Sequence, residues 1–162
     1  MEAVYSTNNH IYTVVNCSNE DVDKHYELIK DNVSDTDEAV YKNAMLDSIK
    51  QNTAYKAICN NDDVAWLYVH KVINACLGSS IFKKDLIGML LVFKELSEHI
   101  DCKIIRYTPH KGMLTAMKSL ATKESIRLYY NGESYIRINL NEIIPKFEQL
   151  YNKLGIKIVS RS

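Results

Sequence analysis

"SSIFKKDLIGMLLVFKELSEHI", residues 79–100, is the stretch on which the fold turns. It opens polar, passes through Lys83-Lys84-Asp85 and becomes the strongest helical pattern in the chain, about 81–99. Phe82, Leu86, Met89, Leu90, Phe93, Leu96 and Ile100 recur every three or four residues and form its apolar stripe. A helix entered from a polar, basic segment has unpaired backbone N–H groups at its start, which is a place for a phosphate. "VINACLG" (72–78) before it and "CKIIRYT" (102–108) after it read as strands, the second stopped by Pro109. The centre of the chain is therefore a β-α-β unit.

Working outward toward the N-terminus, "AYKAIC" (54–59), "NNDD" (60–63) and "VAWLYVH" (64–70) read as strand, turn and strand, with Asp62-Asp63 in the turn. Trp66, Tyr68 and His70 share one face of the second strand and read as packing residues. "IYTVVN" (11–16) is a first strand. Ser18-Asn19-Glu20-Asp21 resembles a capping box and opens a helix with Val22, Tyr26, Ile29 and Val33 on one side. A second cap, around Ser34 to Asp37, opens a helix facing inward with Tyr41, Ala44, Met45 and Ile49.

Toward the C-terminus, a helix from about 111 to 121 buries Leu114, Met117, Leu120 and Ala121. "SIRLYYNGESYIRIN" (125–139) reads as a hairpin turning at the two residues Asn131-Gly132, with Tyr129, Tyr130 and Tyr135 around it. Ile143, Phe147, Leu150 and Leu154 mark a last helix, Gly155 suits its left-handed cap, and "IKIVS" (156–160) is a closing strand. The order predicts an α/β (α+β) fold: a mixed, mostly antiparallel sheet flanked by helices. One domain spans 1–162, with a core over 11–139 and a helix-strand extension over 140–162.

Composition bounds the function. Twenty basic and twenty acidic residues cancel, so no general attraction to nucleic acid or to an anionic membrane is expected. The apolar run "IGMLLVF" is seven residues long, against about 20 for a membrane span. The polar N-terminus has no secretory pattern. Cys17, Cys59, Cys76 and Cys102 form no C-x-x-C pair and read as reduced thiols, and no metal site is expected. Eleven tyrosines with many Asn, Lys and Ile point to an AT-rich genome, as in a phage or a low-GC bacterium.

The element order over 11–139, and 72–131 above all, resembles the GCN5-related N-acetyltransferase (GNAT) fold. In that family one strand splays from its neighbour, the pantetheine arm of acetyl-CoA lies in the gap, and a glycine-rich loop at the next helix holds the pyrophosphate. The resemblance makes "KKDLIG" (83–88) that loop, with Lys83, Lys84, Leu86, Ile87 and Gly88 as the cofactor-binding residues. Lys83 stands where the family has Arg or Gln, and Ile87 and Gly88 fit the pattern. Lys84 and Leu86 occupy the two earlier glycine positions, where side chains obstruct the approach of phosphate to backbone. In the family's second signature His110 falls at an Asn position and Met117 replaces the tyrosine that protonates the departing thiolate. An alternative register matches "LYNKLGIKIV" (150–159) to that signature and makes 109–116 the loop.

The resemblance leaves two functions open. One is an acetyl-CoA-dependent N-acyltransferase with a degenerate cofactor loop. The other is a non-catalytic structural or interaction protein on the same scaffold, similar to GNAT-like polypeptides of phages, internal virion proteins among them. A protein partner or self-association is expected, in the cytoplasm of a bacterial host or inside a phage particle. No catalytic residue is assigned.

Overall fold

The computed structural model describes residues 1–30, 37–70, 75–79, 85–99, 104–107, 129–131 and 135–162. Two strands come first, β1 (Glu2–Ser6) and β2 (Ile11–Asn16), then helices α1 (Asn19–Ile29) and α2 (Glu38–Lys50). Strands β3 (Ala54–Cys59), β4 (Asp62–His70) and β5 (Ala75–Ser79) lead into helix α3 (Leu86–His99). The chain continues through β6 (Ile104–Tyr107), β7 (Tyr129–Asn131) and β8 (Tyr135–Asn139), and closes with helix α4 (Leu140–Lys153) and β9 (Lys157–Arg161).

The nine strands among the described residues join one sheet in the order β7-β8-β6-β5-β4-β3-β2-β1-β9. Every neighbouring pair is antiparallel except β5–β6, where Ala75 lies beside Arg106. The fold is thus mixed α/β of the α+β kind, with a mostly antiparallel sheet flanked by helices. The single parallel pair is joined through α3, as a parallel connection requires a crossover.

Alternation along β4 shows how the sheet is covered on both faces. Ala65, Leu67 and Val69 point to one side and pack with Tyr5, Val14, Tyr55 and Ala57 against Leu91, Leu96, Phe147 and Leu150 of α3 and α4. Trp66 and Tyr68 point to the other, where they meet Cys17, Val22, Ile29 and Met45 under α1 and α2. Residues 63–69 are buried without interruption, so β4 is the centre of both cores.

Local signals set several boundaries. The Ser18 N–H donates to Asp21 Oδ2 at 2.8 Å, one half of a capping box. The Asp37 carboxylate accepts from the Ala39 and Val40 N–H groups and starts α2. Gly155, at φ +66°, ends α4 in the left-handed region.

Four expectations need correction. β1 is a strand that the polar N-terminal sequence concealed, because only Ala3 and Tyr5 of it face the core. The β3–β4 turn is Asn60-Asn61, both at positive φ, and Asp62-Asp63 begin β4. Asn131 pairs with Tyr135 and so belongs to the strand β7 rather than to a turn. α3 opens at Leu86, so the first turn of the helix takes up half of the expected loop. The expected helix over 111–121, His110, Met117, Phe82, Ile100 and the alternative loop 109–116 lie outside the described residues.

Candidate functional site

The expected cofactor loop meets the sheet at the start of α3. Lys83 and Lys84 lie outside the described residues, whereas Leu86, Ile87 and Gly88 are the first three residues of the helix. Leu86 and Ile87 are half-buried against the core. Gly88 sits on β4 so closely that a Cβ there would lie 3.1 Å from Ala65 Cβ and 3.2 Å from Val64 Cγ2. Its lack of a side chain serves helix–sheet packing.

The positive end of the helix already has an anion. Asp85 Oδ1 accepts the Gly88 N–H at 2.8 Å, and the Tyr12 hydroxyl donates to both Asp85 oxygens at 3.1 and 3.3 Å. Burial, and then the Asp85 charge beside it, push the Tyr12 hydroxyl well above its ordinary pKa, so it remains a donor. The three features sequence reasoning did not connect here are Tyr12, Asp85 and the Ala65–Gly88 contact.

On the opposite face of the sheet a chain of buried polar groups joins α1 to β3 and β4. His25 is fully buried, with Nε2 2.8 Å from Asp63 Oδ2 and Nδ1 2.7 Å from the Tyr68 hydroxyl. Its ring stacks on Trp66 at 4.1 Å between centroids and an interplanar angle of 4°. Tyr68 and Cys17 belong to the same buried cluster. Lys24 reaches Asp63 at 3.1 Å, and Lys56 reaches Asp21 at 2.8 Å and Asp63 at 3.4 Å.

Electrostatics fixes the charge states. Burial alone would raise the Asp63 carboxyl, but hydrogen bonds from His25 and Lys24 and the Lys56 charge outweigh it and hold it well below the usual carboxylate range. Asp21 is lowered in the same way, its burial offset by Lys56 and the Ser18 backbone. Lys56 is raised because the two carboxylates outweigh its desolvation. Burial pushes the Cys17 thiol up, which disfavours its thiolate.

Asp21, His25 and Asp63 place three ligand atoms within 4.8 Å of one another. The Lys56 ammonium lies against two of them and supplies the positive charge that a metal would bring. None of these residues was singled out as a site from the sequence, and Asp63 was expected in a turn. One signal was available: Asp21 and His25 fall on the inward stripe of α1 with Val22, Tyr26 and Ile29. Trp66 Nε1 and His70 Nδ1, on the same face of β4, are buried without a hydrogen-bond partner.

A second cluster ties the last strand to α3. The fully buried Glu95 accepts from the Tyr5 hydroxyl and from Arg161 Nη1 at 2.8 Å, and Arg161 also reaches Glu98 at 3.0 Å. Tyr151, matched to the catalytic tyrosine in the alternative register, is buried and donates to the Leu90 carbonyl at 3.3 Å. Lys94 lies 4.4 Å above its ring.

No known family and no curated protein matches the sequence. Among solved structures the chain is similar to an uncharacterized protein from Bacillus halodurans, with a TM-score of 0.55, 10% identity, and 94% of this chain and 96% of that chain covered. At that identity the likeness is one of fold. Among the described residues, no helix is long and apolar enough to cross a membrane.

Proposed function

We propose that this chain is a non-catalytic interaction protein on a GNAT-like scaffold, in which the cofactor loop has been turned over to packing. The scaffold reading is supported by the element order and by the parallel β5–β6 pair joined through α3, where the family's splayed strands lie. The observation that carries the loss of cofactor binding is the Asp85 carboxylate on the Gly88 amide. A pyrophosphate at that helix end would meet a fixed negative charge in place of a free N–H donor. The side chains of Leu86 and Ile87 are used by the core, and Gly88 has β4 against it.

The partner is a protein of the host cell or of a virion, and the working place is the bacterial cytoplasm or a phage particle. The support is compositional: the Tyr, Asn, Lys and Ile bias of an AT-rich genome and a balanced net charge.

Calorimetry and thermal-shift measurements with acetyl-CoA and with free CoA test this reading. No heat and no change in melting temperature at millimolar ligand are expected for the wild type. Saturable binding to the wild type, with acetyl transfer to an amine, would replace the reading with the N-acyltransferase one.

A further inference from the structure

We propose that the chain carries a binding site for a neutral saccharide at the end of the sheet where its first two hairpins turn. A shallow hollow of about 610 Å³, largely open to solvent, lies there between the β1–β2 turn and the β3–β4 turn. A hollow of that size takes one or two sugar rings with one side left in solvent.

Both walls are held in place. In the β1–β2 turn the Thr7 N–H donates to the His10 carbonyl at 2.8 Å, and Thr7 Oγ1 accepts the His10 N–H at 3.0 Å. The Asn8 carboxamide lies against Gly155, where a Cβ would sit 3.2 Å from its Oδ1. The opposite wall, Asn60-Asn61, is a two-residue turn with consecutive positive φ angles of 52° and 63°. A site built on short tied turns loses little entropy when it binds.

The lining selects the ligand class. Among the described residues it holds no carboxylate, ammonium or guanidinium, and its one ionisable side chain is the imidazole of His10. A phosphate or carboxylate ligand would find no permanent counter-charge, and a metal ion no hard anionic ligand. It does hold four asparagines, and a carboxamide offers a donor pair and an acceptor side by side. Hydroxyl groups of a sugar, each both donor and acceptor, match that arrangement. Ile11, 63% exposed, gives an aliphatic floor on which the C–H face of a ring can pack.

Amide chemical shifts of the isotope-labelled full chain, titrated with glucose, N-acetylglucosamine and maltose and in parallel with glucuronate, test the proposal. At least one neutral sugar is expected to move the amides of Thr7 to Ile11 and of Asn60 and Asn61. Asn60→Gly and Asn61→Gly keep the turn, since glycine takes positive φ without strain, and remove one amide each. Each is expected to weaken binding by about tenfold, the loss of one or two hydrogen bonds. The proposal is overturned if no neutral sugar moves those amides, if the changes map elsewhere, if the glycine variants bind as tightly as the wild type, or if glucuronate binds more tightly than glucose.

Discussion

His25 Nε2 lies 2.8 Å from Asp63 Oδ2, and that contact fastens α1 to the central strand of the sheet. The carboxylate is buried, and Lys24 and Lys56 share it with the imidazole. Asp63 thus anchors three basic side chains from α1 and β3, and the polar centre of this face depends on it.

Replacing Asp63 should therefore be among the most costly single changes under α1. Asp63→Ala leaves Lys56 and His25 without their shared acceptor and should cost about 3 kcal/mol, as does the removal of one partner of a buried ion pair. Asp63→Asn keeps the shape but loses the charge, and should cost about 1–2 kcal/mol. Urea unfolding measures both, through a lower midpoint at an unchanged slope. A cost within a few tenths of a kcal/mol for Asp63→Ala would show the network to be energetically idle.

Acid should weaken the fold through the same groups. Asp63 and Asp21 are both held below the ordinary carboxylate range in the folded chain. Their contribution is complete above the unfolded-state pKa of about 4, and is lost as the pH falls below it toward the folded values. Stability in urea should decline steadily from about pH 5 downward, and the decline should be shallower in Asp63→Asn. Identical acid slopes in the two proteins would remove Asp63 from the explanation.

Alkali acts on the tyrosines. Tyr5, Tyr12, Tyr68 and Tyr151 are raised, each first by burial, and Tyr5 and Tyr12 further by the carboxylates they bond, Glu95 and Asp85. A raised folded-state pKa gives stability that is complete below the unfolded value of about 10 and is lost as the pH rises beyond it. In an ultraviolet titration these tyrosines should stay protonated above that pH, then ionise together with loss of the fold. Smooth ionisation of all eleven before unfolding would contradict this.

Much of the architecture was legible because it is local. Hydrophobic periodicity located β2, α1, β3, β4, α3 and α4, and the Ser18–Asp21 pattern and Gly155 marked two helix ends. What could not be read was set by long-range pairing. Glu2–Ser6 becomes a strand because β2 and β9 flank it, 90 residues separate Tyr5 from Glu95, and no local pattern links His25 to Asp63. The lysines and glycine of "KKDLIG" resembled phosphate chemistry, but the use of Gly88 is decided by Ala65 and Val64, residues of another strand.

That contact gives Gly88 a sharp test. If its role were to admit a phosphate, Gly88→Ala in the free protein would gain about 1 kcal/mol of helix propensity. The new Cβ would instead lie 3.1 Å from Ala65 Cβ, which moves only with the β4 backbone. Overpacking of this kind costs about 1–3 kcal/mol, so the variant should be net destabilised, and Gly88→Val more so. A thermal melt that places Gly88→Ala above the wild type would return this glycine to the list of ligand-binding residues.

The final strand depends on one buried charge. β9 is exposed along its whole length, and Arg161 reaches inward from it to Glu95 and Glu98. Among the described residues, without that guanidinium the fully buried Glu95 keeps the Tyr5 hydroxyl and a distant His99 imidazole at 3.8 Å. Arg161→Ala should thus cost about 2–3 kcal/mol, less than a fully enclosed pair because Arg161 is partly exposed. Arg161→Lys should restore only part of this, since an ammonium cannot bridge two carboxylates and a phenol with the geometry of a guanidinium. The reciprocal change, Glu95→Gln, removes the buried charge itself, so adding it to Arg161→Ala should cost less than the sum of the single changes. Urea unfolding of the four variants measures the coupling, and strict additivity would show that Arg161 holds β9 by packing alone.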